Sequence, residues 1–474
     1  MILLMVGTAL AGQPLALDYE SALEQALQRN PTILGSNMDV RASDGVLLAA
    51  KGTFDPQLNA GANMTNSTSE SIREFGEVLS ELEATSWNTG VEQVLPTGTT
   101  MSVDWSSTQS RFRYELRDTG YIVEQDDPLF QTRMVATISQ SLLEGHRLAS
   151  NLQGVRQAGA SRDIALADQK ATRQQVLADV ATAYWNLKSK QRLAEIAQHA
   201  LQTAQEEQRV VHLKVEQGTL APVEKARGDA AVIQAESSLI VAENDAHQAA
   251  DVLLLLIGEE PGAAVSLTTE PIQPQQMTLD PDALVKIAIE HNPTLHAARV
   301  RTHTAEMAER HAHHSRLPQL NANASYGLTG YEPSSAKSTS ELMSGDLPDW
   351  SVGATLSMPL LNRADRGNHM ERQAQALRAK NDAQALERTI AQDVRTQVRT
   401  LVASHTQVRL ARANLKLAEQ TLSAERALRE AGRAIQKDVL EAMRVHNDAL
   451  VALEQALAGY QLALIELERL KGTL

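Results

Sequence analysis

Leu27-Gln28-Arg29-Asn30-Pro31-Thr32-Ile33 recurs as Ile289-Glu290-His291-Asn292-Pro293-Thr294-Leu295, at an offset of 262 residues. The same offset, without a gap, aligns Pro56-Gln57-Leu58-Asn59-Ala60 with Pro318-Gln319-Leu320-Asn321-Ala322. Two matches at one constant offset mark an internal duplication, which decides the architecture before any single element is assigned. The repeats run over about 18–260 and 279–474, with 261–278 as the linker between them. Within each repeat the Asn-Pro pair ends one helix and starts the next. Proline disfavours helix at the residue before it and suits the first turn after it. The second helices are expected at about 32–51 and 295–316.

Beyond these helices the texture changes to period two. Leu320, Ala322, Ala324, Tyr326 and Leu328 alternate with Asn321, Asn323, Ser325 and Gly327. After a polar loop, Trp350, Val352, Ala354, Leu356 and Met358 alternate with Ser351, Gly353, Thr355 and Ser357. One apolar face and one small polar face define half-buried strands, each about the length that spans a bilayer. In the first repeat, strands are expected near 57–66 and 130–140, with a further hairpin at about 87–107 turning at Pro96-Thr97-Gly98. Eleven of the 15 aromatics fall within 54–142 and 318–358, the placement of interfacial girdles on a membrane barrel. Neither repeat has enough strands to close a barrel, so closure requires several chains.

Long helices follow. Residues 146–217 hold only Gly154 and Gly159 as breakers, and 363–431 repeat the segment. Such a run can reach roughly 100 Å. Val394, Leu401, Val408, Leu415 and Leu422 stand seven apart, the spacing of a left-handed coiled coil. Both helices stop at a glycine, Gly218 and Gly432, and returning helices are expected at about 223–257 and 438–471.

Composition sets the outer bounds. The chain has 474 residues, a formal charge of −14, 43% apolar residues, 3% aromatics and no cysteine. No thiol chemistry, cysteine-held metal or disulfide is available. The acidic balance argues against nucleic acid as a partner. No run of about 18 apolar residues appears, so no helix is expected to cross a bilayer; a β-barrel escapes that test. Residues 1–11, an apolar run ending in Ala9-Leu10-Ala11, are expected to be a signal peptide. There is no phosphate-binding loop, no Gly-x-Ser-x-Gly and no His-Glu-x-x-His, so no catalytic, cofactor or metal residues are assigned.

The order helix, strands, long helix, tip and return helix, twice over, resembles the TolC-type outer membrane efflux proteins. The resemblance is carried by the two Asn-Pro-Thr breaks and the two Pro-Gln-Leu strand starts. Ser139-Gln140-Ser141-Leu142-Leu143 and Ser357-Met358-Pro359-Leu360-Leu361, and the segments after Gly218 and Gly432, complete it. It implies a mainly α fold with membrane strands, assembled as a homotrimer. Three chains would share one outer-membrane β-barrel and one periplasmic α-helical coiled-coil tunnel. It further implies a passive exit duct for small-molecule efflux, gated at the helical tip. A periplasmic adaptor (membrane fusion protein) would link it to an inner-membrane transporter. A type I protein secretion channel is the alternative within the family, and a periplasmic coiled-coil scaffold without a pore the alternative outside it.

On this reading Glu441, Asp438 and Glu224, just past the tips (about 432–437 and 218–222), are candidates for an acidic aperture ring. Like carboxylates around a narrow pore repel one another and attract cations. Pro222 stands where the resemblance puts a further acid. Gly218, Leu220, Val223, Gly432, Ile435 and Val439 are candidates for the tip turn and adaptor docking. Trp87, Trp105 and Trp350 are candidates for membrane-interface anchors against outer-membrane lipid.

Overall fold

A computed structural model of the chain describes residues 15–73, 76–116, 118–125, 127–146, 148–270, 273–274, 279–431 and 433–473. The expected signal peptide, part of the linker and Gly432 lie outside the described residues. In the first half a short strand β1 (Leu15–Leu17) precedes helices α1 (Tyr19–Arg29) and α2 (Pro31–Lys51). Strands β2 (Gln57–Arg73), β3 (Gly76–Val94), β4 (Thr99–Leu116), β5 (Tyr121–Glu124) and β6 (Leu129–Ser141) follow. The half closes with a short helix α3 (Leu148–Asn151), the 64-residue α4 (Gln153–Glu216) and α5 (Val223–Ile257). In the second half β7 (Val265–Leu267) precedes α6 (Pro281–His291), α7 (Pro293–His314), β8 (Gln319–Glu332), α8 (Ser335–Ser344) and β9 (Pro348–Ser357). It ends with the 68-residue α9 (Arg363–Glu430) and α10 (Gln436–Lys471).

The chain divides into a helical unit (1–41, 163–299, 381–474) and a sheet unit (42–162, 300–380). In the helical unit the duplication is visible in the packing. The buried residues Ala26 and Ile33 correspond to Ala288 and Leu295 at the offset of 262, and Val176 and Val180 correspond to Ile390 and Val394 at an offset of 214, that of Gly218 and Gly432. The Asn-Pro breaks work through the asparagine side chain. Asn30 is buried; its Oδ1 accepts from the Thr32 N–H at 2.9 Å, and its Nδ2 donates to the Leu256 carbonyl at 2.8 Å. Asn292 Oδ1 accepts from the Leu295 N–H at 2.9 Å. Each asparagine therefore caps the helix that its proline opens.

Each return helix ends on a glycine with positive φ, Gly258 at 78° and Gly472 at 73°. A Cβ on Gly258 would lie 2.8 Å from Arg29 Cβ, and one on Gly472 would lie 2.9 Å from the His291 carbonyl oxygen. Both the handedness and the close approach demand glycine. Arg29 and His291 occupy equivalent places before the Asn-Pro breaks, so each half clasps its own end.

The heptad seam of α9 faces inward. Val394, Leu401, Val408 and Leu422 are buried, and Val398, Leu401 and Val408 pack with Tyr460, Ala463 and Leu467 of α10. α10 is long and apolar enough, by length and composition, to cross a membrane. Its apolar side chains Tyr460, Ala463, Ile465 and Leu467 are buried in the helical unit. On α4, Tyr184 and Trp185 are buried in the largest core cluster. The Tyr184 hydroxyl donates to the Leu17 carbonyl at 3.3 Å, beside the parallel pair β1–β7 that periodicity did not foretell.

The sheet unit holds one sheet in the order β2-β3-β4-β6-β8-β9, every pair antiparallel. The expected strands are all present, but β2, β3 and β4 are much longer, at 17, 19 and 18 residues. The hairpin at 87–107 forms two full-length strands of this sheet, turning at Gly98. β5 pairs with Arg113–Leu116 of β4 above the β4–β6 ladder, so it prolongs the line of β6 and adds no new position. The polar loop of the second half contains α8. Ser338 and Leu342 hold it by burying against the sheet, which period-two reasoning does not detect.

Candidate functional site

Two places carry the functional chemistry, one in each unit. The first is the sheet. Across one hydrogen-bonded row the side chains read Leu58, Val91, Val103, Ala136, Tyr326 and Trp350. The adjacent row, pointing to the opposite face, reads Gln57, Glu92, Ser102, Thr137, Ser325 and Ser351. The sheet thus has an apolar and a polar face across all six strands. The apolar face is the open one: in β6, Met134, Ala136 and Ile138 are exposed while Val135, Thr137 and Ser139 are partly covered. Leu58, Met64, Val352 and Leu356 are exposed on it too. An exposed apolar patch of this extent needs a nonaqueous partner. Water on one side and hydrocarbon on the other meets that need.

All three candidate tryptophans point to the apolar face, on successive outward rows. Trp350 shares the row of Leu58, Trp105 the row of Ala60, and Trp87 the row of Ala62. Trp350 is the most open, at 74% exposure. At the level of Trp87 the same face is covered by α8, whose buried Ser338 hydroxyl donates to the Gly330 carbonyl at 2.9 Å and accepts from the Thr132 N–H at 3.1 Å. On the polar face Arg133 pairs with Asp349 at 2.7 Å, reaching across β8 over the bare backbone of Gly327.

The second place is the pair of helical tips. Gly218 has φ of +73°, and the Thr219 N–H donates to the Lys214 carbonyl at 2.9 Å, closing the end of α4. Leu220 is half-buried and Val223 exposed. At the second tip Ile435 is exposed, and Asp438 Oδ2 accepts from the Ile435 N–H at 3.4 Å, which makes it a cap of α10. Val439 is different: at 0% exposure it packs with Leu422, Ala442 and Met443, so it has no surface to offer a partner. Its role is to hold the tip hairpin together.

The acids are not bare. Glu441 is held by Arg444, with Nη2 to Oε1 at 2.6 Å and Nε to Oε2 at 3.1 Å, and those hydrogen bonds hold its carboxyl below the usual range. Arg444 also reaches Asp448 at 2.7 Å. Glu224 pairs with Arg227 at 2.7 Å, and its Oε2 is buried without a hydrogen-bond partner. In the first hairpin Asp229 on α5 accepts from Gln208 at 2.7 Å and from His212 at 2.9 Å on α4, which lowers its pKa. Sequence reasoning missed the contact that ties the two hairpins together. Arg429, near the end of α9, forms an ion pair with Glu207 of α4, and Gln436 at the start of α10 donates to Glu207 at 2.9 Å. Nothing in the sequence pairs residues 222 positions apart on two helices.

Comparison with known proteins agrees with this geometry. The family model of the outer membrane efflux proteins matches residues 100–259 and 284–473, one segment in each repeat. Outer membrane protein TolC of Vibrio cholerae is 27% identical over 308 residues, covering 64% of this chain and 69% of its own. The solved outer membrane protein VceC of Vibrio cholerae superposes with a TM-score of 0.71 at 16% identity, over 96% of both chains. The CmeC outer membrane channel of Campylobacter jejuni gives 0.70 at 14% identity, over 96% of this chain and 85% of its own. The chain belongs to the outer membrane efflux protein family, and with its two-faced sheet and duplicated helical hairpins it is an outer-membrane channel with a periplasmic helical part.

Proposed function

We propose that three copies of the chain form a passive exit duct for small molecules. The two helical tips of each copy form a gated periplasmic entrance. A periplasmic adaptor docks there and connects the duct to an inner-membrane transporter. The observation that carries the reading is the six-strand sheet with one apolar and one polar face and a free edge at each side. Such a sheet leaves backbone groups unpaired in lipid until other copies complete it. At the tips, Val223 and Ile435 supply exposed apolar side chains for docking, with Gly218 shaping the turn of the first tip. Leu220 adds a half-buried apolar contact. Glu441, Asp438 and Glu224 supply the negative charge of the entrance; the moderating cations Arg444 and Arg227 sit beside two of them.

Purified protein in planar bilayers tests the reading. It should show a low, cation-selective conductance that divalent cations reduce from the tip side. Photo-crosslinkers at Val223 and Ile435 should capture the adaptor in cells. No conductance, or extraction from the envelope without detergent, would refute it.

A further inference from the structure

We propose that the assembled barrel has 18 strands, six from each of three copies, sealed at three equivalent antiparallel seams between β9 of one copy and β2 of the next. The inference rests on the trimeric channel reading and deepens it by setting the width of the outer lumen.

Three observations carry it. The hairpin β3–β4 is part of the wall: β3 pairs with β2 from Arg73↔Gly76 to Gln57↔Glu92, and with β4 from Val94↔Thr100 to Val78↔Leu116. Its outward residues Trp87, Val91, Val103 and Trp105 continue the apolar rows of β6, β8 and β9 without a break in alternation. It is therefore built for lipid on one side and water on the other, as an appendage standing clear of the bilayer would not be.

The second observation is parity. Six strands alternate direction along the sheet, so β2 and β9 run opposite ways. When an identical sheet is set beside this one, its β2 meets β9 antiparallel, with the ladder the rest of the sheet uses. The row ending in Trp350 on β9 begins with Leu58 on β2, so both free edges present apolar side chains to the same side. The occupant of each edge is thus a second copy of this chain.

The third is size. Six strands spaced about 4.8 Å apart and tilted about 40° give a ring about 12 Å across between backbones, which side chains alone would overfill. Eighteen give about 36 Å, against about 24 Å for twelve, the count if each copy lent only four strands. The family match in the first half begins at residue 100, on β4, leaving β2 and β3 ahead of it.

Cryo-electron microscopy of the detergent-purified, full-length protein tests this by counting strands in a section through the barrel. Eighteen strands with β9–β2 seams is the expected result. A threefold particle with twelve strands and β3–β4 lifted out of the wall would overturn the proposal and leave the channel reading standing. A particle with no threefold axis or no barrel would overturn both.

Discussion

The Glu207–Arg429 pair offers the sharpest test of what ties the two helical hairpins together at the tips. Glu207 and Arg429 side chains are 11% and 17% exposed, and Gln436, which donates to Glu207, is 5% exposed. Glu207→Gln keeps the shape and the contact to Gln436 but removes the charge. It strands the Arg429 guanidinium, whose Nε already lacks a partner. Breaking one partner of a fully buried ion pair costs about 3–5 kcal/mol, and residual exposure here argues for the lower end, about 3 kcal/mol. If the pair exists only in the closed arrangement, that shifts the closed–open balance by about 150-fold per copy. Single-channel recording should then show Glu207→Gln open for a far larger share of the time at unchanged full conductance. The double variant Glu207→Gln/Arg429→Met should recover much of the closure, because a neutral pair leaves no buried charge unpaired. Wild-type open probability in Glu207→Gln would refute the lock. Equal opening in the single and double variants would show that lost shape, and not stranded charge, was responsible.

Glu441→Gln should raise conductance and weaken divalent block, whereas Arg444→Gln, which frees the carboxylate, should strengthen block; identical titrations in both would remove Glu441 from the entrance. Because its pKa is lowered, Glu441 stays charged through the ordinary carboxylate range, and block should fade only as pH drops through that depressed value. Asp229 follows the same sign: its links to Gln208 and His212 stabilise the first hairpin above the ordinary carboxylate pKa and are lost in stronger acid, measurable as faster hydrogen exchange at that tip between the two values. Gly218→Ala should cost about 1–2 kcal/mol through the left-handed backbone alone, since a Cβ there meets nothing within 4 Å, while Gly218→Asn should cost less; thermal unfolding compares them. Leu342→Ala should cost about 2–4 kcal/mol of local stability in α8, read as faster proteolysis of the 333–347 segment in intact cells.

Much of this molecule is legible in its sequence because the duplication acts as an internal control. The Asn30-Pro31 and Asn292-Pro293 breaks, the return helix at Val223–Ile257 and the alternating strands β8 and β9 all follow from local rules applied twice. What stayed hidden depends on distance. The strand ends escape local rules because β2 turns polar beyond Met64 and the outward faces of β3 and β4 there carry Glu81, Glu83, Arg111 and Arg113. Helix α8 depends on Ser338 burying against Thr132, and Val439 looks exposed by composition yet faces Leu422 across the hairpin. The acids past the tips are legible as acids, and their partners Arg444 and Arg227 stand three residues further along the same helices.

The clasps Gly258–Arg29 and Gly472–His291 bear on how the chain could be divided. Each half carries its own glycine clasp and its own capped Asn-Pro break, while the largest core cluster also takes in Ile465 of the second half. A nick between Leu267 and Leu279 after folding would leave two polypeptides, each still latched to itself. The single chain then works as a tether that keeps unlike halves in a one-to-one ratio. Its gain is stoichiometric: one half could acquire the β3–β4 hairpin and the other α8 without either appearing in every segment of the ring.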